Sequence, residues 1–187
     1  MSTEDFLNGH FLIAMPSLDD PNFSRTVTYV CEHTEEGALG IVINRPTEVS
    51  LGELLEHMSL PCEAPELAQT VVYMGGPVQR DRGFVLHAPS RQWESSLQIS
   101  DEVAITTSRD ILEAVAAQEG PERFLIALGY AGWGAGQLEQ ELAENSWLSG
   151  PADSAILFER APSERWQAAA SLLGVDLNLL APGAGHA

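Results

Sequence analysis

The chain has 187 residues, 44% of them hydrophobic and 19% charged, with 27 acidic against 9 basic side chains and a formal net charge of −18. That length suits one domain with a core of its own, and the balance is that of a globular rather than a disordered chain. All nine basic residues are arginine, at 25, 45, 80, 82, 91, 109, 123, 160 and 165, and none is lysine, so the cationic footprint that DNA phosphates require is missing and direct nucleic-acid binding is not expected.

The missing lysine fits a GC-rich genome, or a salt-rich cytoplasm in which salt screens surface carboxylates from one another. The opening MSTEDFLNGH is acidic and lacks an apolar h-region, so no secretory signal is expected. No apolar run approaches the roughly 20 residues of a membrane span. Cys31 and Cys62 are too few and too far apart for a zinc knuckle or a redox pair. The expected compartment is the cytoplasm, with both thiols reduced.

In chain order, HFLIAMP (10–16) reads as a strand ended by proline. In RTVTYVCEH (25–33) the alternation puts Val27, Tyr29 and Cys31 on one face and Thr26, Thr28 and Glu32 on the other. LGIVINRP (39–46) is close enough to pair with it as a hairpin. Ser50, three residues before Glu53, marks a short helix at 51–58. Residues 59–69 read as loop. Strands are expected at 70–78, 82–89, 96–100 and 102–108, and a helix at about 109–118, started by Thr107 or Ser108 and stopped by Gly120 and Pro121. A strand follows at 122–129, then a glycine-rich stretch, a helix at about 136–146, a strand at 154–159 and a helix at 161–174. The tail APGAGHA (181–187) has nothing to pack and should be mobile. Consecutive strands before the first long helix favour α+β with a mixed sheet, in one domain spanning 1–180.

LGYAGWGAGQLEQEL (128–142) poses the sharpest chemical question, with four glycines in eight residues between a strand and a helix. No lysine is present to complete a phosphate loop, and Gln137 stands where a dinucleotide fingerprint after Gly132 and Gly134 needs its third glycine. Glu139 and Glu141 already occupy the positive end of the following helix. The stretch is therefore expected to be a backbone hinge. Its aromatics, Tyr130 and Trp133, either wall a pocket or cap a core.

Cys31 and His33 lie two apart on one strand, but two side chains do not make a metal site, and no metal or cofactor is expected. No nucleophile elbow or protease cysteine context is present. Three turns beside strand ends remain as candidates: Asn44-Arg45-Pro46, Gly75-Gly76-Pro77 and Arg82-Gly83.

The segments LIAMP, DPNF, GALGIVINRP, GGPV, RGFVLH, TTSRDIL, LGYAGWGAGQLEQELAENSWL and AILF, in this order, resemble the AlgH/YqgE family of bacterial proteins over about residues 11–159. The resemblance implies a single α+β domain with a complex bifurcated sheet, partly curled into a small barrel and surrounded by helices. It also implies a regulatory role, transcriptional by the family's label. It brings no agreed catalytic residues. The matched positions define a candidate ligand-binding cleft: Asn44, Arg45, Pro46, Gly75, Gly76, Pro77, Arg82, Gly83, Tyr130, Trp133, Gly134 and Gln137. Arg45 and Arg82 would contact an anionic group, while Tyr130 and Trp133 would form the apolar wall. The leading expectation is an accessory or regulatory protein that binds a small molecule or a protein partner. The alternative is an enzyme of unknown reaction using the same cleft.

Overall fold

A computed structural model describes residues 6–180 of the chain; the tail expected at 181–187 lies outside them. Ten strands and seven helices are present among the described residues. β1 (His10–Ala14), β2 (Val27–Thr34) and β3 (Gly37–Val42) form an antiparallel run, and β2 and β3 make the expected hairpin. β4 (Pro46–Ser50) leads into α1 (Leu51–His57), where the Ser50 side chain accepts from the Glu53 N–H at 3.2 Å. The short α2 (Pro65–Ala68), with proline at its start, interrupts what the sequence presents as loop. β5 (Val71–Met74), β6 (Val78–Ala88), β7 (Ser96–Gln98), β8 (Ala104–Thr106) and α3 (Arg109–Ala116) follow close to the expected places.

The glycine-rich stretch is a correction. β9 runs from Arg123 to Gly134, twelve residues, straight through the expected hinge. Gly132 pairs with Leu39 and Gly134 with Gly37, so these glycines belong to a ladder rather than a loop. α4 (Gln137–Ala143) begins after Gly136 in a left-handed conformation. β10 (Trp147–Pro151), not expected from the sequence, is the edge partner of β1. Residues 154–159 are not a strand: α5 (Ser154–Phe158) is a short helix whose Asp153 cap accepts from the Ile156 N–H at 3.1 Å. A short apolar run fits helix or strand equally, and here the aspartate cap decides. α6 (Pro162–Ser171) and α7 (Leu177–Leu180) close the described chain.

The sheet order is β10-β1-β2-β3-β9-β6-β8-β7, with β5 and β4 branching from β9. The fork lies within β9. Ile126 to Leu128 pair in parallel with β5, whereas Ala131 to Gly134 pair antiparallel with β3. Gly129, at φ 80°, sits between the two halves. A Cβ there would fall 2.5 Å from the Gly76 carbonyl oxygen, and one on Gly76 would fall 2.1 Å from the Tyr130 carbonyl carbon. Gly75-Gly76-Pro77 is thus where two backbones touch to split the sheet. Gly76→Ala should cost at least about 2 kcal/mol of stability, as backbone overlap cannot be relieved by a side-chain rotation. Gly83→Ala meets nothing within 4 Å and should change stability by less than about 0.5 kcal/mol. Urea unfolding of both variants checks the contrast.

The curled sheet buries its concave face, including Phe11, Tyr29, Ile41 and Leu86, under α5, α6 and α7. α1 and α3 cover the other face of β5, β6 and β9 around Ile111 and Ile126. A third cluster, with Leu12, Trp133, Leu138 and Trp147, lies beneath α4.

Candidate functional site

At one end of the concave face the sheet leaves a cleft of about 310 Å³. Leu39, Phe84, Leu97, Ile105 and Tyr130 form its apolar wall, with Glu32 and Arg82 beside them. A shallower groove, sharing Glu32, Leu39 and Tyr130, continues across Gly132. Phe84 and Tyr130 meet edge to face at 5.6 Å between ring centroids. Leu97 is 46% exposed, so an apolar side chain stands open to solvent at the rim.

Two irregularities in the strands deliver the charges. In β2, Val30 pairs with Gly40 and Glu32 with Leu39, so Cys31 is an extra residue. Such a bulge re-aims the side chains that follow it. Simple alternation sends Glu32 away from Cys31; instead both line the cleft. His33 is turned to the α4 side, where Nε2 lies 3.3 Å from Glu139. In β6, Val78 pairs with Tyr130 and Gly83 with Leu128, so residues 79–82 arch out opposite Gly129. Gln79 takes a positive φ of 49° within that arch. Arg82 leaves it with its guanidinium 5.4 Å from the Phe84 ring centre and 3.3 Å from Gln79 Oε1. Neither Arg82 nor Glu32 forms an ion pair among the described residues.

The structure separates the expected site residues. Arg82 and Tyr130 line the cleft, and Gly83 follows Arg82 in β6. Arg45 is elsewhere, donating to the Pro21, Asn22 and Ser24 carbonyls at 2.7–2.9 Å, so its guanidinium ties down a loop. Asn44 bonds the Val27 N–H and the Arg25 carbonyl, and Pro46 opens β4. Trp133 packs on the face opposite Tyr130, against Phe23 and Trp147, because odd and even positions of β9 point to opposite sides. Gly134 and Gln137 bond to each other at the start of α4 (3.0 Å). Gly75, Gly76 and Pro77 form the fork.

The residues that sequence reasoning missed are Glu32, Leu39, Phe84, Leu97 and Ile105. Their signal is the unpaired strand register, which only the partner strands reveal. Cys31, also lining the cleft, is held as a thiol, since burial pushes its pKa up and Glu32 adds to that.

From Ser96 at the cleft lining a hydrogen-bonded chain runs inward to the buried Thr106 and His87. The Trp93 backbone N–H donates to Ser96 Oγ, Ser96 Oγ lies 2.7 Å from Thr106 Oγ1, and Thr106 Oγ1 lies 2.7 Å from His87 Nε2. His87 Nδ1 is 3.1 Å from the Pro89 carbonyl, so Nδ1 carries the hydrogen and Nε2 accepts. Burial is the larger influence on His87 and pushes its pKa below the ordinary 6.5, against the opposing Pro89 bond. The folded state therefore resists a proton that the unfolded chain accepts. Stability from this group is complete above about pH 6.5 and falls as the pH drops below it, by up to about 1.4 kcal/mol per pH unit. The slope of unfolding free energy between about pH 6.5 and pH 5 should be shallower in His87→Asn than in the parent; equal slopes would contradict this account.

Besides one of about 380 Å³ beside α2 and α3, two cavities larger than the cleft lie on helical surfaces. One of about 800 Å³ runs between α1 and α2, bordered by Glu53 and Glu56. One of about 600 Å³ runs along α5 and α6, where Arg160 and Glu164 pair with each other at 3.5 Å. No basic side chain lines the first, and the arginine of the second is already paired with an acid. Among the described residues no group of three or more His, Cys, Asp or Glu is placed to hold a metal ion. No helix among them is long and apolar enough to cross a membrane.

Fold and cleft define a single-domain α+β protein with a curled, half-barrel sheet that forks at β9. A family model described as AlgH-like matches residues 11–178, and the chain belongs to that family. A UPF0301 protein of Thioalkalivibrio sulfidiphilus is 59% identical over 187 residues, covering 100% of both chains. Another, from Nitrosococcus oceani, is 55% identical, again over 100% of both. The solution structure of the AlgH protein from Pseudomonas aeruginosa matches with a TM-score of 0.81 at 53% identity, covering 100% of this chain and 99% of that one. A crystal structure of a Corynebacterium diphtheriae protein shares the fold at 19% identity and a TM-score of 0.74, covering 97% of this chain and 94% of that one.

Proposed function

We propose that this is a cytoplasmic accessory or regulatory protein that binds a small molecule in the cleft between the two bulges and does not contact DNA directly. Arg82 carries the reading. In a chain with 27 acidic side chains, this exposed guanidinium has no carboxylate partner among the described residues and lies over Phe84 at an apolar wall. Such a group is available to the acidic end of a ligand, and its fork suits a carboxylate.

The arginine distribution supports the rejection of DNA. Arg109, Arg123 and Arg160 pair with glutamates, and Arg45 and Arg165 are bound to backbone carbonyls. The family's regulatory label fits a protein whose surface near the cleft changes when a ligand settles there.

A thermal-shift screen tests the proposal, because a ligand selective for the folded state raises its stability by about 2.7 kcal/mol at a hundred times its Kd. Compounds that stabilise the parent should bind about tenfold more weakly to Arg82→Ala, and also lose affinity for Leu97→Asp. Hits unaffected by either substitution would place binding elsewhere. A protein partner captured by the parent and lost in both variants would replace the small molecule as occupant. Turnover of a hit, abolished by Arg82→Ala, would make the cleft an enzyme's.

A further inference from the structure

The cleft holds two charges of opposite sign that do not satisfy each other. Arg82 comes from the β6 arch and Glu32 from the β2 bulge, and both line the same cavity. They are not within the 4.0 Å that would make them an ion pair, and neither forms an ion pair with any other described residue, Arg82 having only the Gln79 amide oxygen and the Phe84 ring. Elsewhere three arginines pair with glutamates, Arg109–Glu113, Arg123–Glu102 and Arg160–Glu164, and Arg45 and Arg165 are taken up by backbone carbonyls. Leu39, Phe84, Leu97, Ile105 and Tyr130 line the same cleft, with Gln79, Ser95, Ser96 and Thr107 as its polar part, and the volume is about 310 Å³, at the small end of the about 300–1,000 Å³ typical of ligand sites.

The ligand that answers this arrangement carries a carboxylate, an ammonium and a compact apolar body. We propose that the cleft binds a free α-amino acid with an apolar side chain, its carboxylate on Arg82 and its ammonium on Glu32. The inference rests on the cleft being a ligand site. The overall charge of −18 favours the same class. A field of that sign repels polyanions such as nucleotides and weakens capture of simple anions, whereas a zwitterion of zero net charge approaches without that penalty. Glu32 adds local repulsion against any ligand with a second acidic group. A single arginine without helix N–H donors also suits one carboxylate better than a chain of phosphates.

Calorimetric titration of the full chain with L-phenylalanine and L-leucine, and with three analogues of the first, tests this. The analogues are N-acetyl-L-phenylalanine and 3-phenylpropanoate, which lack the ammonium, and phenethylamine, which lacks the carboxylate. Each loss should weaken binding about tenfold or more in the parent. The ammonium effect should vanish in Glu32→Gln and the carboxylate effect in Arg82→Gln. Both residues are exposed, and unchanged unfolding midpoints would verify that the variants fold. If 3-phenylpropanoate binds as tightly as L-phenylalanine and still depends on Arg82, the zwitterion proposal fails while the cleft stands as a ligand site. If none of the five compounds binds, the zwitterion proposal also fails. The cleft reading falls with it only if stabilising compounds from the broad screen are indifferent to Arg82→Gln.

Discussion

Arg165→Met is expected to lower the unfolding free energy by about 3 kcal/mol, with the denaturant midpoint shifted and the slope unchanged. Arg165 is 3% exposed on α6, and the sequence gives it no distinction among nine arginines. Its Nε donates to the Arg160 carbonyl at 2.9 Å, Nη1 donates to the Ile43 carbonyl, and the guanidinium lies 5.0 Å from the Tyr73 ring centre. One side chain thus joins α6 to the end of β3 and to β5. Burial pushes its pKa down, with the Tyr73 hydroxyl opposing, yet an arginine remains charged at any ordinary pH. Methionine fills much of the space but leaves both carbonyls without their donors, each costing about 1–3 kcal/mol when buried. A loss under about 0.5 kcal/mol would mean that water or a backbone shift replaces the arginine.

Glu141→Ala should be comparably damaging, at about 2–4 kcal/mol, for two orphaned indole N–H groups. Glu141 Oε1 accepts from Trp133 Nε1 at 3.0 Å and from Trp147 Nε1 at 2.9 Å, while Oε2 accepts from Gln137 Nε2 at 2.9 Å. Both tryptophans are nearly buried, at 6% and 4% exposure, and touch edge to face at 6.1 Å. The carboxylate therefore clasps β9, β10 and α4 together. Glu141→Gln keeps an acceptor oxygen and should cost only about 1 kcal/mol. Urea unfolding followed by tryptophan fluorescence reads both variants. Equal loss in Ala and Gln would show that the charge itself, rather than the acceptor, holds the clasp.

That clasp changes what the glycine-rich stretch means. The density of glycine suggests a hinge, and glutamates behind it suggest a helix start already supplied with negative charge. In the fold, Gly132 and Gly134 instead pair with β3, while Trp133 turns beneath α4 to reach Glu141. The ladder partner of a strand is not written next to it in sequence, so glycines in a ladder and glycines in a loop look alike. The alternation in β2 predicts faces correctly through Cys31, which joins Val27 and Tyr29 in one cluster, and then fails at Glu32, because the extra residue in the register leaves no compositional trace. Arg45 and Arg82 are equivalent as turn arginines, yet one meets three backbone carbonyls of the 21–24 loop and the other meets none that is described. What local pattern decides was legible: the β2–β3 hairpin, the Ser50 cap, α3, and the α+β class. What depends on register and on distant carbonyls, including most of the cleft wall, was not.

The central claim is that ligands settle between the β2 and β6 bulges, and amide shift mapping tests it most directly. Isotope-labelled protein would be titrated with the compounds that raise its unfolding midpoint. The account predicts shifts concentrated at Glu32, Leu39, Arg82, Leu97 and Tyr130, and their loss in Arg82→Ala. Shifts concentrated along α1 and α2 around Cys62, or along α5 and α6 around Gln167, with the bulges silent, would contradict it.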